Sequence, residues 1–438
     1  MFKAGAAKID ITPQVGCWLE GIPRAEPSNA IHDPLHARAL VLEYPDAGQG
    51  RTTRLCLVTC DLIGLSNEFS WQVREGIART LDTAPERVVV ACAHNHSGPT
   101  TIGLFEPDHV DQEYLALLSA RLVQVCQAAS ASLEPARLGV GRGVEDTVSE
   151  YRRLLTRDGG IVMNWEEYPQ EAIVGPAEEG DPEVGVVKIT AGTGETVAVI
   201  FNYACHPNSM PGDNFTITAD FPGYAADLIE RELGGVALFT NGAQGSVDIE
   251  GFEGRDFDGV ARRGQALGRA VLDVCRRIEV QADPVIRAAR TLFWLPYRTV
   301  PAQTLEWARQ VASRASGEAV TLRDGISDEI MAENILHHAA RSQPGEEIEM
   351  VGFRLGQGVF FTFPGELFTE IGRRMKGLSQ TLQIYVIGLA NGYYGYVPTA
   401  RASVEGGYAT DVASGAYFAE DAEDLICRNA EVLLTFLG

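Results

Sequence analysis

The chain has 438 residues, 45% hydrophobic and 22% charged, which is globular usage and excludes disorder, collagen and long coiled coil. Its formal net charge of -23 repels phosphate backbones and anionic bilayers, so neither nucleic acid nor stable membrane association is expected. Eight cysteines lie scattered, mostly in apolar runs and without C-x-x-C spacing, and read as small buried hydrophobes.

In chain order, residues 8–12 read as a strand, and the β-rich runs 37–43 and 55–61 flank a Pro/Gly/Asp turn and read as a strand pair. The first seven residues lack the apolar core of a signal peptide, and no stretch approaches the ~20 apolar residues of a spanning helix, so a cytoplasmic location is the default expectation. A helical pattern over about 68–81 leads to 87–93, continuously apolar as a strand buried on both faces would be, and strand, helix, strand suggests a βαβ unit. A helix over about 112–132, a strand at 136–141 and a hairpin of 184–190 with 196–205 across Gly192 and Gly194 follow. The alternation repeats with a helix at 223–233, a strand at 236–240 and a long helix around 260–278. Residues 300–343, rich in Ala, Glu and Arg, predict a helical insertion in two stretches around Gly317, and apolar strands return over 350–363 and 382–389. With no linker, repeat or low-complexity tract, the expectation is an α/β chain of mixed sheets flanked by helices, a single catalytic unit over 1–438.

The sharpest local feature is Ala93-His94-Asn95-His96-Ser97-Gly98-Pro99, directly after the buried strand. Histidines at i and i+2 of an extended segment point to opposite sides, but a bend at the strand end aims both into one pocket. That suits a metal ligand beside an acid/base group. Asn202-Tyr203-Ala204-Cys205-His206-Pro207 has the same plan, and two strand-end histidines imply a shared site; alone, His206 would read as a satisfied core histidine. Phe363-Pro364-Gly365-Glu366 puts a carboxylate after a strand and a turn, where it could complete a metal shell or simply be solvated. Asp220 could orient a ligand histidine or cap the helix near Gly223.

Taken together, these segments resemble the neutral/alkaline non-lysosomal ceramidases. The resemblance runs from Lys8-Ile9-Asp10-Ile11-Thr12-Pro13 through Asp33-Pro34-Leu35-His36-Ala37-Arg38-Ala39 and the His94 segment to Gly395-Tyr396-Val397-Pro398-Thr399. It implies a ceramidase-like catalytic domain with one zinc ion held by His94, His206, Glu366 and Tyr396, and with His96, Arg152 and Tyr408 at the reaction centre. The sequence departs from the family at its serine motif, Gly-Asp-Val-Ser-Pro. Aligning on Gly245 and Val247 puts Asp248 at the serine position; a shifted register keeps Ser246 as the serine and sacrifices both matches. The first register favours attack by water over a serine mechanism. The expected substrate is a small soluble amide, because the chain lacks the C-terminal module of secreted members. Hydrolysis of ceramide itself, ester or lactone hydrolysis, and non-catalytic zinc or ligand binding stand as alternatives.

Overall fold

The expected strand pair forms over His36–Asp46 and Arg51–Cys60, and the helix Asn67–Leu81 returns the chain to Val88–Cys92, which lies parallel to Arg51–Cys60. Ser66 caps that helix by accepting from the Phe69 N–H, and Asp82 ends it in the left-handed region. The computed structural model describes residues 1–46, 51–104, 107–251, 254–314, 322–323 and 326–438. Gly317, the expected break in the helical insertion, lies outside them.

Eight strands form the larger sheet, in the order Val236–Asn241, Thr196–Tyr203, Glu183–Ala191, Glu134–Val144, Lys3–Asp10, His36–Asp46, Arg51–Cys60, Val88–Cys92. A smaller sheet runs Ile286–Pro296, Gly345–Leu355, Gly358–Thr362, Gln383–Ile387, so the apolar run 350–363 resolves into a hairpin. The two sheets pack face to face through Leu40, Leu57, Val89, Ile200 and Leu238 on one side and Val351, Phe353, Phe360 and Tyr385 on the other. The period-2 alternation explains the continuously apolar strands: Val89 turns toward the second sheet, while Val88, Val90 and Cys92 turn toward helices. Helices Asn67–Leu81, Gln112–Ala131, Asp220–Leu233 and Phe257–Cys275 cover the outer face of the large sheet. Thr369–Lys376 and Ala422–Leu437 cover that of the small one. The result is the α/β class with mixed sheets and flanking helices. Every cysteine is free and all but Cys17 are buried.

Within the two main sheets three strand pairs are parallel: Arg51–Cys60 with Val88–Cys92, Thr196–Tyr203 with Val236–Asn241, and Gly358–Thr362 with Gln383–Ile387. Their carboxyl ends meet at one edge of the sandwich, the place where open α/β sheets bind ligands. Asn241, fully buried, ties that edge together. Its amide donates to Ala93 O and Cys205 O (2.8 Å each) and accepts from Cys205 N (3.2 Å), and its carbonyl accepts from Gly388 N (3.0 Å). The stretch 300–343 supplies helices Ala302–Ala312 and Asp328–Ala339, and Asn334 of the second donates to Ala413 O at 2.9 Å. Among the described residues, no helix is long and apolar enough to cross a membrane.

Candidate active site

His94 follows Val88–Cys92 directly and adopts φ 70°, a left-handed bend uncommon for a side-chain-bearing residue. The bend is held by His94 N donating to Leu62 O (2.9 Å), and by the Asn95 amide donating to Asp61 O (3.1 Å) and Thr218 O (2.8 Å). It undoes the strand alternation, so both rings enter one cavity with centroids 4.9 Å apart. His206 stands beyond the end of Thr196–Tyr203, after Ala204 and Cys205, and His96 N donates to Pro207 O at 3.0 Å, linking the two histidine loops. Glu366 arrives from the other sheet. A short parallel ladder pairs it with Tyr396, and Gly245 packs so closely on its backbone that a Cβ there would lie 2.5 Å from Glu366 O.

The three imidazoles are buried, with ligand atoms within 4.8 Å of one another, and together could hold a metal ion. His94 Nδ1 donates to Ile63 O (3.0 Å) and His206 Nδ1 to Val247 O (2.8 Å), which fixes both tautomers and leaves each Nε2 as a lone pair. Those lone pairs lie 3.2 Å (His94) and 3.0 Å (His206) from the same oxygen, Glu366 Oε2. With neutral rings acceptor faces acceptor, an arrangement that a shared cation would join. A proton is a poor candidate, because burial and the Arg152 charge hold the His206 imidazole below its ordinary range. Although burial opposes it, positive charge at the two histidine positions holds the Glu366 carboxyl well below the usual carboxylate range. Tyr393 steadies the other carboxylate oxygen, its hydroxyl donating to Oε1 at 2.8 Å. The donor set fits a metal ion.

These groups open on a cavity of about 310 Å³, the lower end of the range for small-molecule sites. His94, His96, His206, Glu366, Arg152, Tyr396, Tyr408 and Asp248 all line it. Neither ring nitrogen of His96 has a hydrogen-bond partner, and burial together with His94 and His206 pushes its imidazole well below the ordinary histidine range. Arg152 is fully buried; its Nη2 donates to Gly245 O at 2.6 Å, and its guanidinium stacks 5.2 Å from Tyr408, 5.3 Å from Tyr396 and 5.5 Å from Trp165. Its Nε has no partner. Tyr396 is placed with its ring centroid 6.5 Å from that of His206.

These positions bear on two of the alternatives. Ser246 does not line the cavity: its hydroxyl donates to Glu370 Oε2 (3.1 Å) and accepts from Thr369 N (2.8 Å), on the far side of the segment that presents Asp248. Asp220 bonds no ligand histidine and serves the helix end, its Oδ1 accepting from Phe221 N. It is the helix's first residue, and its carboxylate accepts from Ser209 N (2.8 Å) and Ser209 Oγ (2.6 Å), bracing the loop after His206. Backbone carbonyls do the orienting, and no residue-type signal marks them in a sequence. Also unanticipated are Tyr393, Trp165, Asn208, Asn334 and Tyr417 on the cavity wall. Tyr393 lies in the Gly- and aromatic-rich stretch 388–399, where ordinary aromatic packing is the simplest local reading.

Residues 2–247 match the family model described as neutral/alkaline non-lysosomal ceramidase, N-terminal. The chain is 27% identical over 263 residues to the neutral ceramidase of Pseudomonas aeruginosa and 28% identical over 255 residues to that of Mycobacterium tuberculosis. These stretches are 56% and 54% of this chain but only 37% of each relative, so the chain matches little more than a third of their length. The crystal structure of the P. aeruginosa neutral ceramidase superposes with a TM-score of 0.72 at 19% identity, over 100% of this chain and 75% of that one. A ceramidase complexed with C2 gives 0.73 at 18%, over 100% and 76%. The fold is thus shared along the whole chain, and on the match over residues 2–247 the chain belongs to the neutral/alkaline non-lysosomal ceramidase family.

Proposed function

We propose that the chain, acting as one catalytic unit, hydrolyses the carboxamide C–N bond of a small amide with a zinc ion held by His94, His206, Glu366 and Tyr396. The single observation that carries this is the meeting of two imidazole lone pairs and a carboxylate oxygen inside a cavity. Imidazole and carboxylate donors suit zinc, which when bound supplies a Lewis acid and lowers the pKa of water toward ~7. The chain's own groups do the rest. Arg152 Nε and the Tyr408 hydroxyl are the donors for the oxyanion that forms on the substrate carbonyl as water adds. His96, whose ring nitrogens are claimed by nothing in the protein, or Asp248 takes up the proton released as water adds and delivers it to the nitrogen as the C–N bond breaks. Trp165, Tyr396 and Tyr408 hold the Arg152 guanidinium flat between their faces and keep water from it.

A second reading, hydrolysis of a long-chain N-acylsphingosine, is favoured by the names of the relatives; the modest cavity favours the first. An amide and ester panel assayed after zinc reconstitution, alongside a fluorescent ceramide in detergent, separates them. His94→Ala and His206→Ala are expected to lose both bound zinc and turnover. Full zinc occupancy in the double variant would end the metal assignment.

A further inference from the structure

We infer that Glu20, Gly21 and Arg24 form a positioning element for His96, seating its imidazole at the cavity while leaving both ring nitrogens to the substrate. The inference rests on the reading of His96 as a group that meets the substrate. A buried imidazole with two unpartnered nitrogens is an expensive arrangement, and nothing in the ring's own hydrogen bonding holds it in place. What holds it is shape. Gly21 has φ +97°, and a Cβ there would sit 2.5 Å from His96 Cγ and 2.8 Å from Nδ1. The Gly21 peptide therefore lies directly on the ring face, a close approach that only glycine permits.

The flanking charges fix that peptide in place. Arg24 Nη2 donates to His96 O (2.8 Å), Nη1 to Ile22 O (3.1 Å) and Nε to Asn214 O (2.8 Å), so one guanidinium joins the glycine turn, the His96 backbone and the loop beyond His206. Burial lowers Arg24 only to about 10, so it stays cationic near neutrality. Glu20, also buried, accepts from Thr101 N (2.8 Å), Ile102 N (3.1 Å) and Leu104 N (2.6 Å), fixing the segment after His96 whose Leu104 lines the cavity. Among the described residues neither Glu20 nor Arg24 makes a salt bridge; each charge is committed to backbone groups. An ion pair would add attraction, whereas these bonds set geometry. They surround His96 alone of the three histidines, since His94 and His206 are held by their own Nδ1 bonds.

The test is a double-mutant cycle of Gly21→Ala with His96→Ala on the zinc-reconstituted full chain, with kcat, KM, metal content and thermal unfolding read for each variant. Displacing the ring by a fraction of an ångström to 1 Å is expected to cost kcat up to about 100-fold, with metal content and KM held. In the His96→Ala background the added methyl meets no ring, so only the backbone strain at φ +97° remains and Gly21→Ala is expected to lower kcat much less than in wild type. Losses that multiply would overturn the inference, as would an inert His96→Ala. Independently of any activity, the long-range ¹H–¹⁵N ring correlations of His96 are expected to shift in Gly21→Ala and in Arg24→Met, with those of His94 and His206 unmoved. Unmoved His96 signals in both folded variants refute the positioning role. Shifted signals in a chain that turns over no amide would leave the positioning standing and remove the hydrolase reading instead.

Discussion

Replacing Glu366 by glutamine separates a metal ligand from a structural ion pair. Glu366 is fully buried, and its Oε2 stands 3.0 and 3.2 Å from two Nε2 lone pairs. If protonated imidazoles were its only partners, the change would break a buried pair and destabilise the fold by about 3–5 kcal/mol. If a cation joins the three atoms, the metal-free variant should lose no stability, because the glutamine NH2 offers two donors where both imidazoles offer acceptors. The loss then falls on metal affinity. Taking the same 3–5 kcal/mol for an uncompensated buried charge at about 1.4 kcal/mol per tenfold, zinc should bind about two to three and a half orders of magnitude more weakly. The assay is thermal unfolding of both proteins in chelator and at stepped free zinc. Saturation at about 1,000 Kd should raise wild-type stability by about 4 kcal/mol, while Glu366→Gln at the same concentration should gain far less. A glutamine variant unstable in chelator but equal to wild type in zinc affinity would refute the ligand assignment.

Three further outcomes are expected. Tyr393→Phe removes the hydroxyl that donates to Glu366 Oε1 at 2.8 Å and should weaken zinc about 10–100-fold by competitive chelation, with little change in unfolding of the metal-free chain. Ser246→Ala should keep zinc and turnover while lowering stability by about 1–3 kcal/mol, because its hydroxyl serves Glu370 and Thr369; Asp248→Ala should lose turnover, and the reverse pattern would favour the other register. Burial raises Asp33 to about 6 despite bonds from Thr218 and Ala219, so the folded chain binds a proton there that the unfolded chain releases near 3.8. This group's contribution to stability is present below about pH 4 and falls as pH rises through about 6. Tm profiles of wild type and Asp33→Asn should accordingly diverge in the variant's favour over that window, and parallel profiles would contradict the burial argument.

What the sequence revealed and what it hid divide along a physical line. The strands at 87–93 and 196–205 were legible because burial on both faces makes them continuously apolar, and their histidines stand out where that run ends. The edge strand Ile286–Pro296 was not foreseen: one side is unpaired in the sheet, exposure alternates irregularly, and Leu292 and Trp294 are half exposed. The helix Ala422–Leu437 has a clear apolar face that went unread. Within the site, groups acting through side chains were findable, whereas Ile63 O and Val247 O act through backbone that every residue carries. Asn241 and Gly21 do their work through contacts with residues more than 30 positions away, a relation that no local pattern records.

Arg152 shows how the cavity's electrostatics fit the proposed chemistry. A fully buried guanidinium normally has a carboxylate beside it, yet among the described residues Arg152 makes no salt bridge. Its charge is eased by Gly245 O and by three aromatic faces, which offer partial compensation but no full counter-charge. A resting carboxylate there would pair with Arg152 in every state and give no preference for the transition state. Left uncompensated, the guanidinium gains most when negative charge develops on a substrate oxygen in the cavity, and that difference between states is what lowers a barrier. Asp248 lies close enough to feel the guanidinium without pairing with it, so it stays available to the leaving nitrogen. Both residues line the cavity, so a donor for the carbonyl oxygen and a carboxylate able to pass a proton to the nitrogen stand in the same space, as the proposed cleavage requires.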